Sequence, residues 1–235
     1  MQITLITHSC TLVEGGGVRA LVDPLFGLGG PLEGRVQPAI RAQDLADVDL
    51  VLVTHAHPDH LDPGFFALTQ PDLPVLVPAG FEWPEWQPPL EAAEELTLWE
   101  SRSFTSHGED LTVTCVPATH GGLSCGYVVE ADDCALYIAG DTHLDEAMRE
   151  IGERWTLDLA LLPERPRPDI PVLDVAEAVA ATAALHPSAV AFYHRGYGPP
   201  VDGIVEPGDE YVEALQAETP DVSVTVAEPG ETLVV

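Results

Sequence analysis

Three imidazoles and a carboxylate fall within positions 55–60 of this chain, in the stretch Thr54-His55-Ala56-His57-Pro58-Asp59-His60-Leu61-Asp62. His55, His57 and His60 each offer a ring nitrogen and Asp59 a hard oxygen, a donor mixture that suits zinc, iron or manganese. At the end of an extended strand His55 and His57 point to the same side, because the side-chain period is two. Pro58 then turns the chain and can carry Asp59 and His60 toward a second metal position. The bland alternative is a polar loop that happens to be rich in His. With nine His in all 235 residues, three beside an acid in so short a stretch point instead to metal binding.

Six further candidates stand where strand-like runs end. His8 ends the run 4–7, Asp23 ends 20–22, His120 follows 113–117, Asp141 follows 135–139 and His194 follows 189–193, with His143 just beyond Asp141. A rigid sheet positions residues at such points and the loop exposes them. A lone strand-end His is more often a surface residue than a ligand. Beside the cluster at 55–60, His120, Asp141 and His194 become its expected companions.

The elements that must position these residues can be read from periodicity. Residues 2–7 and 11–14 read as strand, and Gly15-Gly16-Gly17 turns into a strand over 18–22. The Gly- and Pro-rich stretch 25–40 reads as a loop long enough to be functional, and Asp44 is expected to cap a short helical turn. Residues 49–54 form a strand without alternation, as expected of one covered on both faces. A helix is expected from Pro63 to about Thr69, a strand over 74–78, and surface loop over 81–95 with Trp83 and Trp86. Strands follow at 96–99, 111–117, 125–130 and 134–139, the last two joined by the turn Asp132-Asp133. Helices over 145–154, from the cap Asp174 to Leu185, and over 207–218 alternate with strands at 157–162, 189–193, 222–227 and 231–235. The whole reads as one domain, 1–235, with two packed sheets and helices outside.

Composition narrows the partners. Thirty-nine acids face nine bases, every base is Arg, and the net charge is −30. Such a field repels nucleic-acid phosphates and anionic membranes, whose docking needs Lys and Arg. A small molecule is therefore the expected partner, with no nucleic acid and no membrane, and a homo-oligomer is compatible with the chain. Acid excess without Lys fits a high-salt cytoplasm and GC-rich coding equally well. The four Cys form no C-x-x-C pair, and Cys115, Cys125 and Cys134 are expected as buried thiols. No charged leader opens the chain, and no apolar run approaches the ~20 residues of a membrane span. The expected location is the cytoplasm.

The order Asp23, His55-x-His57-x-Asp59-His60, His120, Asp141, His194 resembles the metallo-β-lactamase-fold hydrolases, with a counterpart for each of that superfamily's five motifs across 23–194. The stretches His8-Ser9-Cys10, Leu21-Val22-Asp23-Pro24, Pro117-Ala118-Thr119-His120, Gly140-Asp141-Thr142 and Leu161-Leu162-Pro163, with Leu173-Asp174 opening a helix, resemble its ascorbate-6-phosphate lactonase and N-acyl-phosphatidylethanolamine phospholipase D branch. That branch often has a Gly-rich turn where this chain has Glu164-Arg165-Pro166-Arg167, and here Arg195 follows His194 directly.

The resemblance implies an α+β fold, a four-layer αββα sandwich of two mixed sheets packed face to face. It implies two divalent ions, zinc first, with manganese, iron or nickel as alternatives. His55, His57 and His120 would hold one ion and Asp59, His60 and His194 the other, with Asp141 bridging. A hydroxide shared by the two ions would cleave a small ester, lactone or phosphoester, an anionic substrate included, and Asp59 would orient it or protonate the leaving group. Asp23 would orient a His ring through its N–H, or else be a turn carboxylate before Pro24. His8 would assist a ligand or touch substrate, as would His143, and Arg195 would clamp a phosphate or carboxylate; Arg165 and Arg167 are weaker candidates for that task. Two other classes remain open: a mononuclear iron dioxygenase of the persulfide type, and a metal-stabilised binding protein without catalysis.

Overall fold

Apolar strand runs separated by Gly, Asp and Pro turns fold into two sheets of seven strands each among the described residues. The structure, a computed structural model, describes residues 1–164, 170–195 and 208–235. The first half of the chain supplies β1 (Gln2–Thr7), β2 (Cys10–Gly15), β3 (Val18–Val22), β4 (Leu50–Leu52), α1 (Pro63–Phe66), β5 (Val75–Pro78) and β6 (Ala93–Leu96). The second supplies β7 (Ser101–Ser106), β8 (Glu109–Pro117), β9 (Cys125–Ala131), β10 (Cys134–Ile138), α2 (Ala147–Arg154), β11 (Leu159–Pro163), α3 (Val175–Leu185), β12 (Ala189–Tyr193), α4 (Gly208–Glu218) and β13 (Ser223–Val226). A last strand, β14 (Thr232–Val234), returns to β1. The spatial orders are β14-β1-β2-β3-β4-β5-β6 and β13-β12-β11-β10-β9-β8-β7. Both sheets are mixed: β3 to β6 and β10 to β13 run parallel, while the hairpins β1–β2–β3 and β7–β8–β9–β10 are antiparallel.

The sheets pack face to face. Ile3, Leu5, Val13, Val22, Leu50 and Leu76 of the first meet Leu111, Val113, Tyr127, Leu136, Leu161 and Tyr193 of the second in one buried core. The outer side of the second sheet, with Val128, Tyr137, Leu162 and Phe192, lies under Met148, Ile151, Ala178, Leu185 and Leu215 of the three long helices. Burial on both faces explains why its parallel strands are continuous apolar runs. The result is the expected α+β sandwich, with an outer layer over the first sheet that is mostly loop: Leu25, Phe26, Leu45 and Phe65 cover Leu21, Val51 and Val53 there. Among the described residues no helix is long and apolar enough to cross a membrane.

Several local expectations are corrected. The helix expected over 63–69 ends at Phe66, because the chain tightens with Leu68 N–H on Phe65 O (2.9 Å) and the Thr69 hydroxyl on Phe66 O (3.1 Å). The strand expected over 96–99 lies earlier, largely within the 81–95 stretch expected as loop, and is β6, which ends at Leu96. There Thr97 donates its N–H and hydroxyl to Glu100, and Trp99 takes a left-handed backbone (φ +69°) beneath the Arg154 guanidinium. The next strand, β7, is not among those expected: it is an edge strand of the second sheet whose Ser and Thr alternate outward too weakly to stand out from loop. Asp44 does not cap its turn but grips Arg41 through two bonds of 2.9 and 2.7 Å. Cys115 and Cys125 are buried as expected, while Cys134 is half-buried, and all four thiols are free.

Tyr127 links the layers beside the His cluster, donating its buried hydroxyl to the Val53 carbonyl at 2.8 Å. Tyr127→Phe leaves that carbonyl without its strongest cross-sheet donor. The expected loss, read from urea unfolding, is about 1–3 kcal/mol.

Candidate metal centre

Parallel pairing brings strand ends to one edge of the sandwich. Val22 and Leu52 are register partners in β3 and β4, so the next residues, Asp23 and Val53-Thr54-His55, emerge side by side. Asp23 N–H closes on Leu52 O at 2.8 Å. Beyond β4 the chain crosses to the second sheet: Cys125 N–H donates to Thr54 O (3.1 Å), and His55 bridges to Ser124. Gly140, at φ +63°, lets Asp141 follow β10 into the same space. A side chain at Gly140 would meet the Cys125 carbonyl oxygen at 2.8 Å. His143 N–H binds Thr119 O (2.8 Å) and so ties the loop bearing Asp141 to that bearing His120. Finally, His194 N–H donates to His8 O at 3.0 Å, joining the end of β12 to the end of β1.

Two groups of donors result: His55, His57, His120 and Asp141, and His8, Asp59, His60 and His194. Within each, one donor atom per residue lies within 4.8 Å of the others. In the first, His57 Nδ1 is 3.0 Å from His55 Nε2 and 3.2 Å from His120 Nε2, and His120 Nε2 is 3.6 Å from Asp141 Oδ2. In the second, His8 Nε2 is 3.3 Å from Asp59 Oδ2. Asp141 Oδ1 faces His194 Nε2 at 3.2 Å and His60 Nε2 at 3.4 Å. Two donors on one tetrahedral zinc ion lie roughly 3.3 Å apart, so these spacings fit a shared cation. A second observation agrees. His60 Nε2, His194 Nε2 and Asp141 Oδ1 are buried without a hydrogen-bond partner, a costly state that a cation among them would relieve.

The opposite ring nitrogens are anchored, which presents Nε2 inward. His120 Nδ1 reaches Pro171 O (3.0 Å) and His194 Nδ1 reaches Glu164 O (3.4 Å). Asp23, wholly buried, accepts from Thr54 N–H, the Thr54 hydroxyl and His60 Nδ1, each at 2.8 Å. Since the Thr54 hydroxyl spends its hydrogen on Asp23, its oxygen accepts from His55 Nδ1 at 2.9 Å. One carboxylate thereby orients a ring in each donor group.

Electrostatics divide the groups. Burial holds His55 well below the ordinary imidazole range, and His120 below it as well. Burial, with His194 adding to it, pushes His8 down to about 4. For His60 burial acts the other way from its carboxylate neighbours, and Asp141 and Asp23 prevail, raising it well above the usual value. His194 is raised in the same manner, chiefly by Asp141. Burial opposes charge on Asp141 and on Asp59, yet His194 and His60 keep the first ionised, and the His8 hydrogen bond keeps the second so.

Residues 18–195 match the profile of the beta-lactamase superfamily domain. The chain belongs to that superfamily. It is 32% identical to a UPF0173 metal-dependent hydrolase of Methanopyrus kandleri, with 98% of each chain covered. It is 30% identical to N-acyl-phosphatidylethanolamine-hydrolyzing phospholipase D 1 of Caenorhabditis elegans, over 68% of this chain and 52% of that one. Among solved structures it resembles Igni18, a metallo hydrolase of Ignicoccus hospitalis, at 25% identity and a TM-score of 0.76, covering 99% of this chain and 97% of that one. The chain is thus a metal-dependent hydrolase of the metallo-β-lactamase fold.

The fold brings together all seven residues expected as ligands and adds His8 to the second group. Asp23 has the orienting contact expected of it. Arg195 meets carboxylates where a substrate anion was expected: its Nε lies 2.7 Å from Glu164 Oε1, and its NH1 meets Glu228. His143 Nδ1 is 3.2 Å from Glu177 Oε2, a residue that also closes the capping box of α3. Arg165 and Arg167 lie outside the described residues. Glu177 went unseen in the sequence and Glu164 stood out only as a departure from the branch's Gly-rich turn, because little distinguishes two acids among thirty-nine.

Asp23→Asn should weaken cation binding at both donor groups by about 10–100-fold, whereas Thr54→Val should weaken it chiefly at the group of His55; competition with a chromogenic chelator reads each. Because His60 and His194 hold protons that a cation must displace, affinity at the second group should rise with pH between about pH 6 and pH 8. Chelator competition at the two ends of that range checks the sign.

Proposed function

We propose that this hydrolase works with two divalent ions and cleaves a small ester, lactone or phosphoester. The observation that carries the reading is the double reach of Asp141, with Oδ1 toward His60 and His194 and Oδ2 toward His120. A carboxylate so placed spans both donor groups, and a purely structural site, closed by four ligands on one ion, has no use for it. The completeness of the second group likewise disfavours a mononuclear iron oxygenase. Two divalent ions held here would supply Lewis acidity toward a carbonyl or phosphoryl oxygen and a water activated near neutral pH. The mixed N and O donors suit zinc, with manganese, iron and nickel as alternatives.

The chain's own groups have distinct parts in this scheme. His57 is the exposed member of the first group and Asp59 the least buried of the second, so substrate reaches the ions between them. Asp59, kept ionised beside His8, can orient the attacking water and then carry its proton toward the leaving group. Thr54 and Thr142, next in the chain to His55 and Asp141, are both buried and shut bulk water out behind these donors. A net charge of −30 supports a small-molecule substrate over nucleic acid.

Protein purified without added metal should carry about two equivalents of zinc, manganese or nickel, and His57→Ala should lose one of them. Elemental analysis reads this, followed by a panel of esters, lactones and phosphodiesters. About one equivalent of iron, or no metal after reconstitution, sinks the reading.

A further inference from the structure

We propose that Glu164, Arg195 and Glu228 form a charged clamp that fixes His194 in its inward pose, and so governs whether the second donor group takes an ion. This rests on the two-ion reading above. Register brings the parts together: Pro163 of β11 pairs level with Tyr193 of β12, so Glu164 and His194-Arg195 leave the sheet side by side. Glu164 N–H donates to Tyr193 O at 3.0 Å. The main-chain oxygen of Glu164 takes the His194 ring at 3.4 Å, while its wholly buried carboxylate holds Arg195 Nε at 2.7 Å. Because Arg195 is bonded directly to His194, these contacts close a small ring around the imidazole. Glu228, beyond β13, holds the same guanidinium from the solvent side.

The arrangement is better explained by positioning than by stability. A buried ion pair is seldom a net stabiliser, since desolvation offsets the attraction. His194 also sits at φ +71°, a left-handed backbone disfavoured for a residue with a side chain, and needs its surroundings to hold it there. α4 packs directly on the pair. A side chain built at Gly208, its first residue, would lie 3.4 Å from Glu164 Oε2 and 3.5 Å from an Arg195 nitrogen. In the first donor group, among the described residues, His55 is held instead by the Thr54 hydroxyl and His120 by the Pro171 carbonyl.

Cobalt(II) titration of the metal-free full chain, followed by visible absorption, tests the proposal. The comparison is wild type against Glu164→Gln, the volume-conserving pair Glu164→Leu with Arg195→Met, and the exposed Glu228→Gln. The first two should bind one equivalent as wild type does and the second at least about tenfold more weakly, with Glu228→Gln intermediate. The apolar pair should fold, because replacing a buried ion pair by packed side chains is often neutral. Two equivalents bound at wild-type affinity by the apolar pair overturn the clamp, and so does parallel loss of both ions, which marks a merely structural role. Wild type that takes a single equivalent sinks the two-ion reading itself and the clamp with it.

Discussion

The Asp23 carboxylate is the constraint on which the site depends. Three donors converge on it at 2.8 Å in a setting without solvent. Through His60 it acts on one donor group, and through the Thr54 hydroxyl and His55 on the other. A buried carboxylate is tolerated only when its lone pairs are filled, and here the filling groups are the supports of two candidate metal ligands. The same contacts lock the ends of β3 and β4 together, so sheet register and ligand orientation are one problem with one solution.

Strain gathers at the same place. His8, Asp23 and His194 all have left-handed backbones, at φ +48°, +46° and +71°. Each such residue costs on the order of 1–3 kcal/mol, and each is held by a main-chain bond to another strand end: Asp23 to Leu52, and His194 to His8. The turns aim side chains into the gap between the sheets in place of letting them continue along a strand. Binding of cations to the folded state alone would offset part of this cost by mass action.

Charge has two scales in this molecule. Over the surface, acids outnumber bases so heavily that Arg19, Arg41, Arg102 and Arg154 each meet at least one carboxylate. Such exposed pairs contribute little to stability. Inside, the same chemistry is consequential: Asp141 and Asp23 raise His60, Asp141 raises His194, and desolvation lowers His55 and His8. His55 in the first group is therefore held neutral and ready for a cation, while His60 and His194 in the second give up protons to receive one.

The candidate ligands were legible in the chain because metal chemistry needs few residue types, and because His55-x-His57-x-Asp59-His60 places four of them within reach of one strand end. The sandwich was legible because covered strands are unbroken apolar runs and capped helices begin at Asp, as at Asp174. What stayed hidden depended on partners distant in sequence. Arg195 looked available to substrate until strand register set it against Glu164, 31 residues away by number, and Glu228 beyond β13. His8, expected to assist a ligand or touch substrate, is brought into the second group itself by the bond from His194. Residue type and local spacing determine which atoms can bind a cation. Which of them share one, and which charges are spent on holding them, is decided where strands from opposite ends of the chain finish level with each other.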